Sequence, residues 1–196
     1  MLWDNNDDIK LIECENNRRV IQHHLNECRE ERRPYVFVTN TMTVKPLHRL
    51  LVPVSMLEEE TYKAEICTYL ARKTGAHIIL LQANDYGSHA RQNVNRIVTH
   101  IEKVNERLAN DQSPMTNDQP PITYEVCIAR KDSFGLIREA AERQRDFRHD
   151  LLILTASRDY GLDDILFGPP EQHAIRRALV PVMLVNPRED LFSLCD

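Results

Sequence analysis

The chain alternates short apolar runs with longer stretches in which apolar residues recur at helical spacing. Runs of this kind, bounded by polar residues, are typical of strands that are buried on both faces. Three of them occupy residues 49–55, 77–83 and 151–156, and two further strands are predicted at residues 122–129 and 180–185. Helical spacing fills residues 58–74, 94–108 and 132–147, and Pro169 and Pro170 suit the first turn of a last, short helix. The pattern predicts an α/β fold: a doubly wound, five-stranded parallel sheet with helices on both faces.

An N-terminal extension, residues 1–45, precedes this repeat. Val20, Ile21, Leu25 and Cys28 predict an amphipathic helix, and a strand is predicted at Tyr35–Thr39. Only residues 40–48 connect this strand to the next, whereas a parallel neighbour needs a crossover of about a dozen residues or more. We therefore expect the helix and strand to cover a sheet edge, in the same subunit or in a partner.

The remaining organisation follows from composition. Residues 110–121 are almost wholly polar or turn-forming, which predicts a mobile surface loop. The main domain is expected to span residues 46–188 and to end in a short tail, residues 189–196. A length of 196 residues with 42% hydrophobic residues is enough for one globular unit.

Charge and targeting signals narrow the class of protein. Lys and Arg total 25 against 30 Asp and Glu, with the two signs interspersed, so a dedicated nucleic-acid binder is not expected. No apolar run approaches the roughly 20 residues that span a bilayer, and the first residues carry no signal segment. These features predict a cytoplasmic protein without membrane insertion.

No dedicated metal or hydrolase motif is present. The eight histidines form no metal-binding pattern, and no Gly-x-Ser-x-Gly turn occurs. The five cysteines are an odd set without a Cys-x-x-Cys pair and are read as reduced thiols. The run Glu58-Glu59-Glu60 is interpreted as a solvated helix start, where carboxylates complement the helix dipole.

Several phrases resemble the universal stress protein family over residues 47–188. Leu-Leu-Val-Pro-Val-Ser at 50–55 is similar to the family's opening strand, and Asp-Leu-Leu-Ile-Leu at 150–154 to its fourth strand. Ile-Leu-Phe-Gly at 165–168 and Val-Pro-Val-Met-Leu-Val at 180–185 resemble its ending. The resemblance implies the nucleotide-binding α-hydrolase-like fold, in which ATP-binding members hold the nucleotide across the carboxyl ends of the first and fourth strands.

The family's phosphate motif is degenerate in this chain. ATP-binding members carry Gly-x2-Gly-x9-Gly-Ser/Thr, and aligning Gly168 with the last glycine puts Thr155 and Arg158 at the first two. Pro169 and Pro170 lack the backbone N–H groups that would bind phosphate, and Ser55 replaces the usual aspartate. Arg158 could still hold an anion. Ordinary ATP or AMP binding is therefore disfavoured, and no cofactor is expected.

Two Asp-Tyr-Gly turns follow the second and fourth strands of the repeat, at residues 85–87 and 159–161. They either frame a ligand mouth or are simple strand-to-helix turns that use glycine's positive φ. The candidate crevice residues are Ser55, Asn84, Thr155, Ser157, Arg158, Gly161 and Gly168.

The resemblance and the lost motif together favour a non-enzymatic cytoplasmic stress-response or regulatory protein. It would act as a homodimer that binds an unidentified protein partner. The family commonly dimerises through its last strand, so the predicted interface comprises Val180, Val182, Met183, Leu184 and Val185. The alternative is a nucleotide- or small-anion-binding protein of the ATP or AMP class with at most slow ATP hydrolysis. A third possibility is a detached counterpart of the stress-protein domain that some membrane transporters carry.

Overall fold

A computed structural model describes residues 8–110, 120–157 and 168–187. The predicted loop tip, the candidates Arg158 and Gly161, and the tail at 189–196 lie outside these residues. The strands are β1 (Lys10–Cys14), β2 (Tyr35–Thr39), β3 (Arg49–Val54), β4 (His77–Gln82), β5 (Tyr124–Ile128), β6 (Leu151–Thr155) and β7 (Val182–Val185). The α-helices are α1 (Arg18–Glu27), α2 (Lys63–Thr74), α3 (His89–Asn110), α4 (Ser133–Glu142), α5 (Gln144–Phe147) and α6 (Pro170–Arg177), and a 3₁₀ turn at Glu58–Tyr62 precedes α2.

The strands form one sheet in the order β1-β2-β7-β6-β3-β4-β5. The strands from β3 to β7 are mutually parallel, as the alternating pattern predicts. The count of five strands is wrong, because the N-terminal extension adds two more to the same sheet. β2 runs antiparallel to β7, and β1 runs parallel to β2.

The N-terminal extension covers the β7 edge within the same chain. Tyr35 pairs with Leu184 and Phe37 with Val182, and both aromatic side chains are buried. Beyond the end of β7, Asn186 Nδ2 donates to the carbonyl oxygen of Arg29 over 2.6 Å. The expectation that the extension covers a sheet edge is confirmed, and the edge belongs to the same subunit.

This pairing occupies the strand edge on which the predicted dimer interface depends. β7 is hydrogen-bonded by β6 on one side and by β2 on the other, and Val182, Met183, Leu184 and Val185 are all fully buried. Val180, just before the strand, is also buried. Nothing in the sequence of the last strand reveals which segment pairs with it.

The helices form layers on both faces of the sheet. One core joins α1, α4 and α6 to one face through residues such as Leu25, Leu136 and Ile175. The other joins α2 and α3 to the opposite face through Ile66 and Ile97. The doubly wound α/β architecture is therefore confirmed. Among the described helices, none combines the length and apolar content that a bilayer-spanning segment needs.

His149, two residues before β6, is fully buried, and neither ring nitrogen has a hydrogen-bond partner among the described residues. Burial lowers its pKa from 6.5 to about 4, an effect that the charge of Arg49 reinforces and that of Asp150 opposes. Below pH 6.5 His149 therefore binds a proton in the unfolded chain, whereas in the folded chain it does so only as the pH approaches 4. Stability is therefore complete above pH 6.5 and is lost as the pH falls toward 4.

We expect His149→Leu to remove this acid sensitivity. Between pH 7 and pH 4.5 the unfolding free energy of the parent protein should fall by about 2.5 kcal/mol more than that of the variant. Urea unfolding of both proteins at the two pH values measures the difference. Equal losses in the two proteins would show that His149 is protonated equally easily in the folded and unfolded states.

Candidate ligand crevice

The carboxyl ends of β3 and β6 lie side by side at the centre of the sheet. From β3 the chain continues to α2 on one face, whereas α6 after β6 lies on the other face. Adjacent strands whose connections leave in opposite directions open a crevice between them, which is where open α/β sheets bind ligands. The structure thus has the topology of the predicted crevice.

A carboxylate of the chain itself occupies this position. Ser55, the residue after β3, donates from Oγ to Glu60 Oε1 over 2.5 Å. Thr155, the last residue of β6, donates from Oγ1 to Glu60 Oε2 over 3.0 Å. Glu60 is only 7% exposed. Two of the predicted site residues are therefore brought together, but their hydroxyl groups bind an internal carboxylate.

Lys63 completes this cluster. Its ammonium group forms an ion pair with Glu60 and donates to the carbonyl oxygen of Pro53, and its side chain is 1% exposed. The interpretation of Glu58-Glu59-Glu60 as a solvated helix start is therefore wrong for Glu60. It holds for Glu58, whose side chain is 86% exposed. The 3₁₀ turn directs Glu60 inward, a direction that three identical residues in sequence do not reveal.

A second buried carboxylate lies where the phosphate motif of the family would act. Glu171, in the first turn of α6, is 1% exposed. It accepts hydrogen bonds from the backbone N–H and the Oγ of Ser157 over 3.2 and 2.8 Å. Pro169 and Pro170 contribute no N–H donors at this helix start. The structure therefore places the carboxyl group of Glu171 at the helix start that the resemblance assigns to phosphate binding.

Gly168, the surviving glycine of the motif, has a packing role in this chain. Its φ is +89°, and a Cβ at this position would lie 2.0 Å from Gln172 Oε1. Gln172 is buried and donates from Nε2 to the carbonyl oxygen of Arg18 and to Gln22 Oε1, over 3.1 and 2.7 Å. The space beside Gly168 thus lets Gln172 tie α6 to α1.

We expect Gly168→Ala to lower the unfolding free energy by about 2–3 kcal/mol, because it adds a steric clash with Gln172 to the cost of a positive φ. Gly75→Ala is the matched control, since Gly75 has a φ of +71° and open space around its Cα. The control should cost about 1 kcal/mol. Chemical denaturation measures both, and equal losses would contradict the packing role of Gly168.

Asn84 lies in a different place from the other candidates. It lines a groove of about 1230 Å³ beside α4, together with residues of the β5–α4 connection. Its neighbour Asp85 accepts from the backbone N–H and the Oγ of Ser133 over 2.8 and 2.5 Å. Ser133 Oγ in turn accepts from the backbone N–H of Met56 over 3.0 Å. These contacts join the carboxyl ends of β3 and β4 to the start of α4.

Glu139 stabilises the wall of this groove. It accepts from the backbone N–H groups of Arg130 and Lys131 over 3.0 and 2.8 Å and pairs with Arg143 over 2.5 Å. Burial raises the pKa of Glu139, but these donors outweigh burial and hold that pKa below its ordinary value. The described residues contain no group of three or more His, Cys, Asp or Glu side chains that could hold a metal ion.

Comparison with known proteins gives a family match. A sequence profile described as the universal stress protein family matches residues 46–186. A search of curated proteins found no significant match.

Solved structures share the fold at low sequence identity. A universal stress protein in complex with cAMP aligns over 74% of this chain and 100% of its own, at 12% identity and a TM-score of 0.50. A universal stress protein from Archaeoglobus fulgidus aligns over 93% of this chain and 62% of its own, at 16% identity and a TM-score of 0.61. A functionally unknown protein from Pseudomonas aeruginosa PAO1 aligns over 94% of this chain and 64% of its own, at 12% identity and a TM-score of 0.51. This chain spans less than two thirds of the latter two.

Proposed function

The chain belongs to the universal stress protein family, and we propose that it is a non-enzymatic, cytoplasmic stress-response or regulatory member that binds a protein partner instead of a nucleotide. The observation that carries this proposal is the occupation of the β3–β6 crevice by Glu60, Lys63 and Glu171. A ligand in this place would have to displace side chains that already bond to one another.

Electrostatics strengthens the proposal. Three hydroxyl donors among the described crevice residues are already used, since Ser55 and Thr155 bind Glu60, and Ser157 binds Glu171. The charge of Lys63 is balanced by Glu60. A triphosphate would meet two buried carboxylates, and like charges at short range in a poorly solvated site repel strongly. The occupation of the crevice by these side chains also favours a protein without ATP turnover. Phosphoryl transfer requires phosphates that are held in position and whose charge is stabilised.

Nucleotide titration tests the proposal. With ATP, AMP or cAMP at millimolar concentration, with and without Mg²⁺, we expect the melting temperature of the full chain to change by less than about 1 °C. A rise of several degrees with any of them would overturn the proposal. Loss of that rise in Arg158→Ala would place the bound nucleotide at the crevice, and its persistence would place it elsewhere.

The second candidate is a nucleotide- or small-anion-binding protein with at most slow ATP hydrolysis. It is favoured by one comparison, since a solved universal stress protein of the same fold was captured with cAMP. In this chain such binding would require Glu60 and Glu171 to move away from Ser55 and Ser157. The same titration decides between the two candidates.

Self-association is a separate part of the proposal. A homodimer of the family type would use the edge of the last strand, but β2 of the same chain pairs with that edge here. A homodimer of the intact chain would therefore need a different surface, or release of the N-terminal extension. Light scattering on the intact chain measures its assembly state directly.

A further inference from the structure

The groove beside α4 combines exposed apolar side chains with cations. Met56, Tyr86 and Phe134 line it, and they are 41% exposed, fully exposed and 89% exposed, respectively. They are three of the seven large hydrophobic side chains that the described residues leave exposed. A cluster of such residues around a concave surface marks an interaction site more often than a solvated face.

Among the described residues, three carboxylates of the groove have hydrogen-bond or ion-pair partners, whereas two of its cations do not. Asp85 binds Ser133, Asp132 accepts from the backbone N–H of Gly135, and Glu139 is held by two backbone amides and an arginine. By contrast, the side chains of Arg130 and Lys131 are exposed and make no hydrogen bond or ion pair within the described ranges. The groove therefore offers apolar surface and two cations that form no ion pair within the described ranges, although Arg130 interacts through space with Asp146.

We propose that this groove binds an acidic peptide segment of a protein partner. Carboxylates of the segment would pair with Arg130 and Lys131, and its apolar side chains would pack on Met56, Tyr86 and Phe134. The inference rests on the proposed function, because it names the surface through which the partner is bound. Tyrosine and arginine are also the residue types that most often dominate binding energy at protein interfaces.

The acidic groups of the groove favour a peptide over a nucleic acid. Asp85 and Asp132 line the same surface as Arg130 and Lys131, and the whole chain carries a formal charge of −5. A phosphate backbone presents charge continuously and needs a track of cations. A peptide can place one or two carboxylates at the cations and apolar side chains elsewhere.

The groove is also fixed before any partner arrives. The side chain of Asp132 caps the first turn of α4, and the contacts of Asp85 and Met56 with Ser133 hold that helix start against β3 and β4. A surface that is ordered in advance loses less conformational entropy on binding. Phe134 therefore projects from an anchored helix.

Selection from a library of random ten-residue peptides on the intact protein tests the proposal. We expect the enriched sequences to contain at least two acidic residues and an aromatic or aliphatic residue. A fluorescently labelled copy of the leading sequence should lose at least about tenfold in affinity for the double variant R130A/K131A, and about tenfold for Phe134→Ala. Arg96→Ala is the matched control, since Arg96 is an exposed arginine on α3 outside the groove, and it should change nothing. All these positions are exposed, and melting temperatures confirm that the variants fold.

Several results would overturn the inference. They are a failure to enrich any sequence, enrichment of peptides without acidic residues, and equal affinity for R130A/K131A. Enriched sequences that copy residues 188–196 of this chain would assign the groove to an internal segment or a second copy instead. Failure of peptide binding while nucleotides still leave the melting temperature unchanged would remove this inference alone, whereas a nucleotide-induced rise would remove the proposed function.

Discussion

Replacing Glu60 with alanine is expected to lower the unfolding free energy by about 3–5 kcal/mol, a large part of the stability of an ordinary domain. The change removes the carboxylate partner of the buried Lys63 ammonium group, which then keeps, among the described residues, the carbonyl oxygen of Pro53. It also removes the acceptor of Ser55 and Thr155. Uncompensated buried charge costs more than the pair itself contributes. Urea unfolding monitored by circular dichroism measures the loss.

Two further variants test whether the loss of stability arises from the burial of the Glu60–Lys63 pair. Glu58→Ala removes an exposed carboxylate of the same acidic run, whose arginine partner is 3.6 Å away, and should cost less than about 1 kcal/mol. The double variant E60A/K63M removes both charges and should recover much of the loss. A Glu60→Ala protein as stable as Glu58→Ala would show that the crevice is solvated and therefore open to ligands.

Deleting residues 1–40 is expected to cause self-association or loss of solubility. The deletion removes β1, α1 and β2, and so uncovers the backbone of β7 and the apolar residues of that face, among them Ile175 and Leu184. An exposed apolar edge strand is a template for pairing with another chain. Size-exclusion chromatography with light scattering should show a larger mass per particle than for the intact chain, or precipitation.

The control for this deletion is removal of residues 1–7 alone, which keeps β1 and β2 and should leave assembly unchanged. A dimer formed by the longer deletion would indicate pairing through β7 edges. A soluble product with the same assembly state as the intact chain would contradict the conclusion that the extension protects this edge.

The central strands of the main sheet could be predicted because each is a continuous apolar run, which a strand buried on both faces requires. The edge strand β5 differs, because it contains Glu125 and leaves Val126 and Ile128 exposed. The end of α2 could also be predicted from the sequence, because Gly75 supplies the left-handed C-terminal cap. β1 was missed because Lys10–Cys14 contains the charged residues Lys10 and Glu13, which suit a strand at the edge of a sheet. The pairing of β1 with β2 is a tertiary contact, which the sequence of one strand does not determine.

The candidate site was predictable in position but not in content. Ser55 and Ser157 were expected at the crevice because they follow apolar strands that end at one edge, and Thr155 because it aligns with the first glycine of the family's phosphate motif. Glu60 and Lys63 were missed, because glutamates and lysines in sequence usually mark a solvated helix start. Only the 3₁₀ turn before α2 turns them inward. The cluster of cations beside α4 was missed for the same reason, since Arg130 and Lys131 resemble ordinary surface residues.

The closed crevice has a consequence for how the protein responds to its surroundings. A protein that binds a free nucleotide gains stability by mass action, so its folded population follows the concentration of that nucleotide. Glu60 and Glu171 are covalently part of the chain, and their effective concentration at the crevice does not vary with the solution. The proposed function therefore predicts that the stability of this protein stays constant when the ATP concentration falls and rises with the concentration of its protein partner.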